Sequence, residues 1–121
     1  MLPRGTTFIR DGHVWFNISE PTTANQQVLC VNLTSLDEDC PDDECLIACA
    51  EYSWVDDRHP TPTAVAFSRA RLWDAQKLIM CLKKGILKKP RQGDIPKTTV
   101  AKIVKLAVNS RELSEELKAF L

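Results

Sequence analysis

The sequence predicts an α+β fold, a small β-barrel or bent antiparallel sheet followed by two or three C-terminal helices. Three observations predict it. Asp11-Gly12 separates two runs rich in aromatic and β-branched residues, further short apolar runs recur up to residue 67 between loops punctuated by proline, and beyond Arg69 the apolar period changes to a helical one. All 121 residues are expected to form one domain, with a β half over 1–67 and a helical half over 68–121.

Residues 6–10 and 13–18 read as a hairpin, because a two-residue type I′ turn needs positive φ at both central positions and Asp-Gly tolerates it. Residues 19–26 have loop composition, and 27–33 (QVLCVNL) read as a mostly buried strand. Residues 37–44 hold six carboxylates and a proline, whose mutual repulsion predicts an exposed acidic loop. Short strands are expected over 45–50 and 63–67, joined by EYSWVDDRHPTP, in which Pro60 and Pro62 deny regular structure.

In the second half, Asp74 is a candidate N-cap for a helix with apolar Ala75, Leu78, Ile79 and Leu82, ended by Gly85. Residues 83–96 are basic and broken by Gly and Pro, a loop. Thr98 is a candidate cap for a face of Val100, Ile103, Val104 and Ala107, and Asn109 with Glu112 a second one. Whether 98–121 is one helix or two stays open. Leu113, Leu117, Phe120 and Leu121 form an apolar stripe that something must cover.

With 44% hydrophobic and 26% charged residues the chain is an ordinary globular one, and a single core is expected. No run approaches 18 apolar residues and the start lacks a signal peptide's apolar block, so a cytoplasmic, non-membrane protein is expected. Five cysteines without tight pairs read as reduced thiols. The zero net charge hides an asymmetry. Residues 1–66 carry 3 Lys and Arg against 11 Asp and Glu, whereas 67–121 carry 13 against 5. Such a dipole suits a nucleic-acid-binding half, a self-complementary oligomer, or helices with lysine on their solvated faces.

GTTFIR (5–10), GHVWFNIS (12–19), VLCVNLTS (28–35) and PTAVAFSRARLWD (62–74) together resemble the toxin endoribonucleases of the MazF/PemK type. The resemblance implies an SH3-like barrel, a homodimer, an antitoxin partner, and metal-independent cleavage of RNA without a cofactor. Thr34 matches the family's active-site threonine by its place in NLTS. The family's catalytic arginine begins the second strand in an Arg-Pro pair, and here Gly12 and His13 stand there. An endoribonuclease, or a decayed relative that keeps the barrel, is implied. The helical tail from Lys83 onward lies outside the resemblance.

Cleaving RNA without a metal needs a base for the 2′-hydroxyl, an acid for the leaving oxygen, and a cation or donors for the charged phosphorane. His13, Thr34, Arg58 and His59 are the candidate catalytic residues; the plainer reading makes both histidines surface groups. Lys83, Lys84, Lys88, Lys89 and Arg91 can grip phosphates, or form a solvated linker, and Trp54 can stack a base. Trp15 and Trp73 are expected in the core. Cys40, Cys45 and Cys49 with His59 lack the close pairs of structural zinc sites, so buried thiols are preferred and no metal site is expected. No phosphate loop, nucleophile elbow or HExxH pattern occurs. The rival class is a non-catalytic protein–protein interaction module built on an SH3-like barrel, with the C-terminal stripe packing on its partner.

Overall fold

The computed structural model describes residues 2–37 and 42–121; Cys40 and the centre of the acidic segment lie outside them. Six strands, β1 (Thr7–Arg10), β2 (His13–Asn17), β3 (Gln27–Ser35), β4 (Leu46–Ile47), β5 (Thr63–Val65) and β6 (Arg71–Asp74), precede α1 (Ala75–Lys83), α2 (Lys97–Val108) and α3 (Glu115–Lys118). The fold is α+β, as expected. No helix among the described residues is long and apolar enough to cross a membrane.

Asp11 (φ 53°) and Gly12 (φ 76°) supply the two positive φ values, and the turn fixes the register Arg10↔His13 and Thr7↔Phe16. β3 is the spine. One edge pairs with β2 (Trp15↔Asn32), while the other is taken first by β5 (Leu33↔Val65) and then by β6 (Cys30↔Arg71). A 3-10 turn, Phe67–Arg69, steps the chain between those two partners. β6 lies past residue 67, where the strands were expected to end. Its alternation is short, and a strand that runs straight into an N-cap carries little period of its own. The sheet is six-stranded and antiparallel, and among the described residues the outer edge of β1 meets only an isolated bridge, Ile9↔Lys88.

The expectation of a single core is corrected to two clusters. Alternation along β2 and β3 sends Val14, Phe16, Leu29, Val31 and Leu33 to one face, where α2 contributes Val100, Ile103 and Ala107. Trp15, Val28 and Cys30 go to the other with Phe8, Ala75 and Leu78. Covered on both faces, β3 has the near-continuous apolar reading of a doubly buried strand. Burial alone pushes the Cys30 thiol far up, so it behaves as a small hydrophobe.

Asp74 caps α1 by accepting from Lys77 N at 3.0 Å, and Gly85 (φ 71°) follows its end, both as expected. α2 begins after Pro96 rather than at Thr98: proline's φ of −58° presets the helix, and Thr99 turns its hydroxyl to the Glu51 carbonyl. Asn109 ends α2, and Ser114 caps a separate α3, so 98–121 holds two helices. The C-terminal stripe needs no outside cover. Leu113 is buried and Leu117, Phe120 and Leu121 pack on the first cluster.

Opposite charges join the two halves of this one chain. Glu51 pairs with Lys102 at 2.7 Å, and Glu44 accepts from the Ser110 hydroxyl and from the N–H groups of Arg111 and Glu112. Asp42 is buried and accepts from Ser68. The segment 37–44 is therefore not simply a solvated loop: two of its carboxylates anchor the helical half. The Lys102 ammonium holds the Glu51 carboxyl below its usual range. Partial burial acts to raise Glu44, but Ser110 and the two backbone N–H groups overrule it and hold it low as well. Carboxylates lowered in the folded state contribute stability that is complete above the unfolded value and is lost as pH falls through the folded one. The thermal midpoint should thus fall below about pH 4.3. Glu44→Gln and Glu51→Gln should each flatten that fall; an unchanged acid limb in differential scanning fluorimetry would remove these two groups from the account.

Candidate nucleic-acid interface

The β1–β2 turn and the β2–β3 register put His13 and Thr34 at one end of the sheet, where they line a cleft of about 370 Å³ with Trp54, Asp37, Ser35 and Thr63. His13 is half-buried, and its Nδ1 lies 3.3 Å from the Leu33 carbonyl. A carbonyl only accepts, so in this contact Nδ1 is the donor, and in the neutral ring that leaves Nε2 as the acceptor. That tautomer suits a base. Trp54 is 46% exposed, the side chain expected to be free to stack, whereas Trp15 is buried and Trp73 packs against Phe8 at 5.4 Å.

The four candidate catalytic residues do not share this cleft. Arg58 lines a different hollow that shares Trp54 with the first, and its Nε turns to Asp56 at 3.3 Å. His59 lines a third hollow under Pro60 and Pro62, with Nδ1 surrounded by Thr61. His13 and Thr34 converge; Arg58 and His59 sit on adjoining surface. Among the described lining residues the His13 cleft has no Lys or Arg, and its one carboxylate, Asp37, opposes a phosphate.

The basic segment is less free than its composition suggested. Lys83 and Lys84 close α1, and Ile86 N and Leu87 N both donate to the Cys81 carbonyl. The Lys88 carbonyl accepts from Ile9 N at 2.8 Å, which fastens this segment along β1. Lys89 pairs with Asp94, itself tied to Thr7 N and Oγ1. Lys83, Lys84, Lys88 and Arg91 are exposed.

Arg10 and Arg71 were missed. Arg10 stands opposite His13, with its guanidinium 4.7 Å from the Trp73 ring centroid, and Arg71 lies 6.0 Å from that of Trp15. The signal for Arg10 was present: a two-residue turn at Asp11-Gly12 makes Arg10 the cross-strand partner of His13. Arg71 had none, since its place depends on β6 pairing with β3. Arg10 thus pairs across the turn with His13 of the cleft, and the preceding residue, Ile9, bridges to Lys88. Cys45 is buried, its thiol pushed up to about 11 by burial, and Cys49 is exposed. Among the described residues no three metal-ligating side chains cluster. No family model, curated protein or solved structure matches the chain.

Proposed function

We propose that this chain is an RNA-acting protein of the MazF/PemK-like kind that binds single-stranded RNA across the β1–β2 face. The path runs from Trp54, His13 and Thr34 over Arg10 to Lys88 and the end of α1. The observation that supports it is the Arg10↔His13 register, which bridges the His13 cleft and the basic segment fastened to β1. A phosphate chain with splayed bases requires cations and an exposed indole, and on this path the exposed Lys83, Lys84, Lys88 and Arg91 lie towards one end and the exposed Trp54 towards the other.

The geometry favours binding over cleavage. His13 Nε2 can serve as a base and Thr34 as a donor, but a phosphorane also needs a cation, and Arg10 lies on Trp73 rather than in the cleft. A decayed relative that retains the RNA face is the better reading, and the homodimer and antitoxin partner belong to this proposal through the resemblance alone. The interaction-module reading loses its motive, because the stripe it relied on is covered by the chain's own core.

Fluorescence anisotropy with a labelled single-stranded RNA tests this. Binding should weaken linearly in log salt, with a slope of about −0.7 per phosphate contacted. Trp54→Ala should cost roughly 1–3 kcal/mol of binding by loss of one stack. Bound, uncleaved RNA supports the decayed form; cleavage lost in His13→Ala would instead place the chain with active endoribonucleases. No binding, or binding indifferent to both salt and Trp54→Ala, overturns the proposal.

A further inference from the structure

We propose that the cleft between β6, α1 and residues 86–87 is a binding site for a small apolar molecule carrying one carboxylate, a site separate from the His13 cleft. The cleft holds about 220 Å³. That is below the roughly 300 Å³ at which drug-sized sites begin, so it suits one ring or a short branched chain.

Its walls are apolar: Trp73, Leu78, Leu87 and Ile86. Ile86 is 67% exposed, the most exposed of the large apolar side chains among the described residues, and a ligand seated against it would remove that surface from water. Its polar groups are unbalanced towards donors. The Trp73 indole N–H is buried with no partner among the described residues. Lys77 forms no ion pair among them. Arg10 lies over the Trp73 ring, and its one ion pair among the described residues is a 3.7 Å contact with Asp11, both side chains well exposed, which contributes little. The one carboxylate in the lining, Asp74, is committed through Oδ1 to the Lys77 N–H at the start of α1. Two cations, Arg10 and Lys77, line the pocket against one carboxylate, Asp74, so its charge balance is positive, and the unpartnered Trp73 N–H belongs to the same wall. What completes it must accept hydrogen bonds and carry negative charge, while its body satisfies the apolar walls.

The test is titration of the ¹⁵N-labelled protein with benzoate, following the indole N–H resonance assigned to Trp73 by Trp73→Phe. Benzoate should move that resonance, and its neutral counterpart benzamide should bind about tenfold more weakly, as should benzoate to Arg10→Gln or Lys77→Gln. Ile86→Asp, an exposed position whose change leaves the fold in place, should abolish binding by putting a like charge at the mouth. Acetyl-Gly-Phe separates the two sources of such a group: tighter binding of the dipeptide assigns a peptide C-terminus, tighter binding of benzoate a free acid. An unmoved indole resonance, equal binding of benzamide, or tighter binding of adenosine monophosphate than of either carboxylate overturns the proposal.

Discussion

Asn17→Leu is expected to lower the free energy of unfolding by about 2–5 kcal/mol, a large part of what a domain of this size has to lose. The Asn17 side chain is completely buried at the end of β2. Its Oδ1 accepts from Thr6 N at 3.1 Å, and its Nδ2 donates to the carbonyls of Leu2, Pro3 and Ser19 at 3.3, 3.1 and 2.9 Å. One amide thereby organises both the incoming segment and the outgoing loop. Leucine fills nearly the same space and satisfies none of these groups. Two of them keep another partner, since Thr6 N and Thr6 Oγ1 both reach the Pro3 carbonyl. The carbonyls of Leu2 and Ser19 lose this donor, and a buried acceptor left unpaired costs about 1–3 kcal/mol. Urea denaturation with an unchanged m-value checks the prediction. A loss below about 1 kcal/mol would mean that water reaches these carbonyls and the amide is no more than one of several ties.

Asn17 also marks where local reasoning stopped. The hairpin, β3, the start and end of α1 and the exposure of Trp54 were legible because each depends on neighbours in sequence: a turn dipeptide, an apolar run, a cap, an irregular connector. A buried polar hub is not, for nothing near Asn17 says that residues 2, 3, 6 and 19 will surround it. The same limit explains the acidic segment. Repulsion among six carboxylates predicts solvent, but Glu44 finds three donors some 66 residues away at Ser110, Arg111 and Glu112, and that pairing exists only once α2 ends where it does. In the candidate site, His13 and Thr34 share a cleft because they sit across two registered strands, which a hairpin and an apolar run nearly determine. Arg58 and His59 belong to a proline-rich connector whose path has no period to read, and they settle in hollows of their own. Two cores instead of one follow from a feature visible in the sequence, the unbroken apolar reading of β3, once it is taken to mean helices on both faces.

Gly5→Ala is expected to cost about 2–5 kcal/mol, from two sources that a double substitution separates. Gly5 has φ +84°, a left-handed conformation that an L-residue enters at a cost of about 1–2 kcal/mol. A Cβ there would also stand 2.7 Å from Val100 Cγ2 and 3.0 Å from the Ile95 carbonyl oxygen. Val100 is buried against the first cluster, and Ile95 is held by its N–H to the Gly5 carbonyl at 2.9 Å, so neither can retreat without moving the start of α2. Overpacking of this kind adds about 1–3 kcal/mol. Gly5→Ala with Val100→Ala should recover the side-chain part of the clash while leaving the backbone strain, the Ile95 contact and a new small cavity, so the double variant should remain less stable than the parent. Full recovery would show that φ at Gly5 carries no strain. Because the crowding at Gly5 falls on Ile95 and Val100 and not on residues lining the His13 cleft, the folded fraction of Gly5→Ala should bind RNA like the parent under conditions where it is folded. Anisotropy at low temperature reads this directly, and a loss of affinity there would tie the packing of α2 to the His13 cleft.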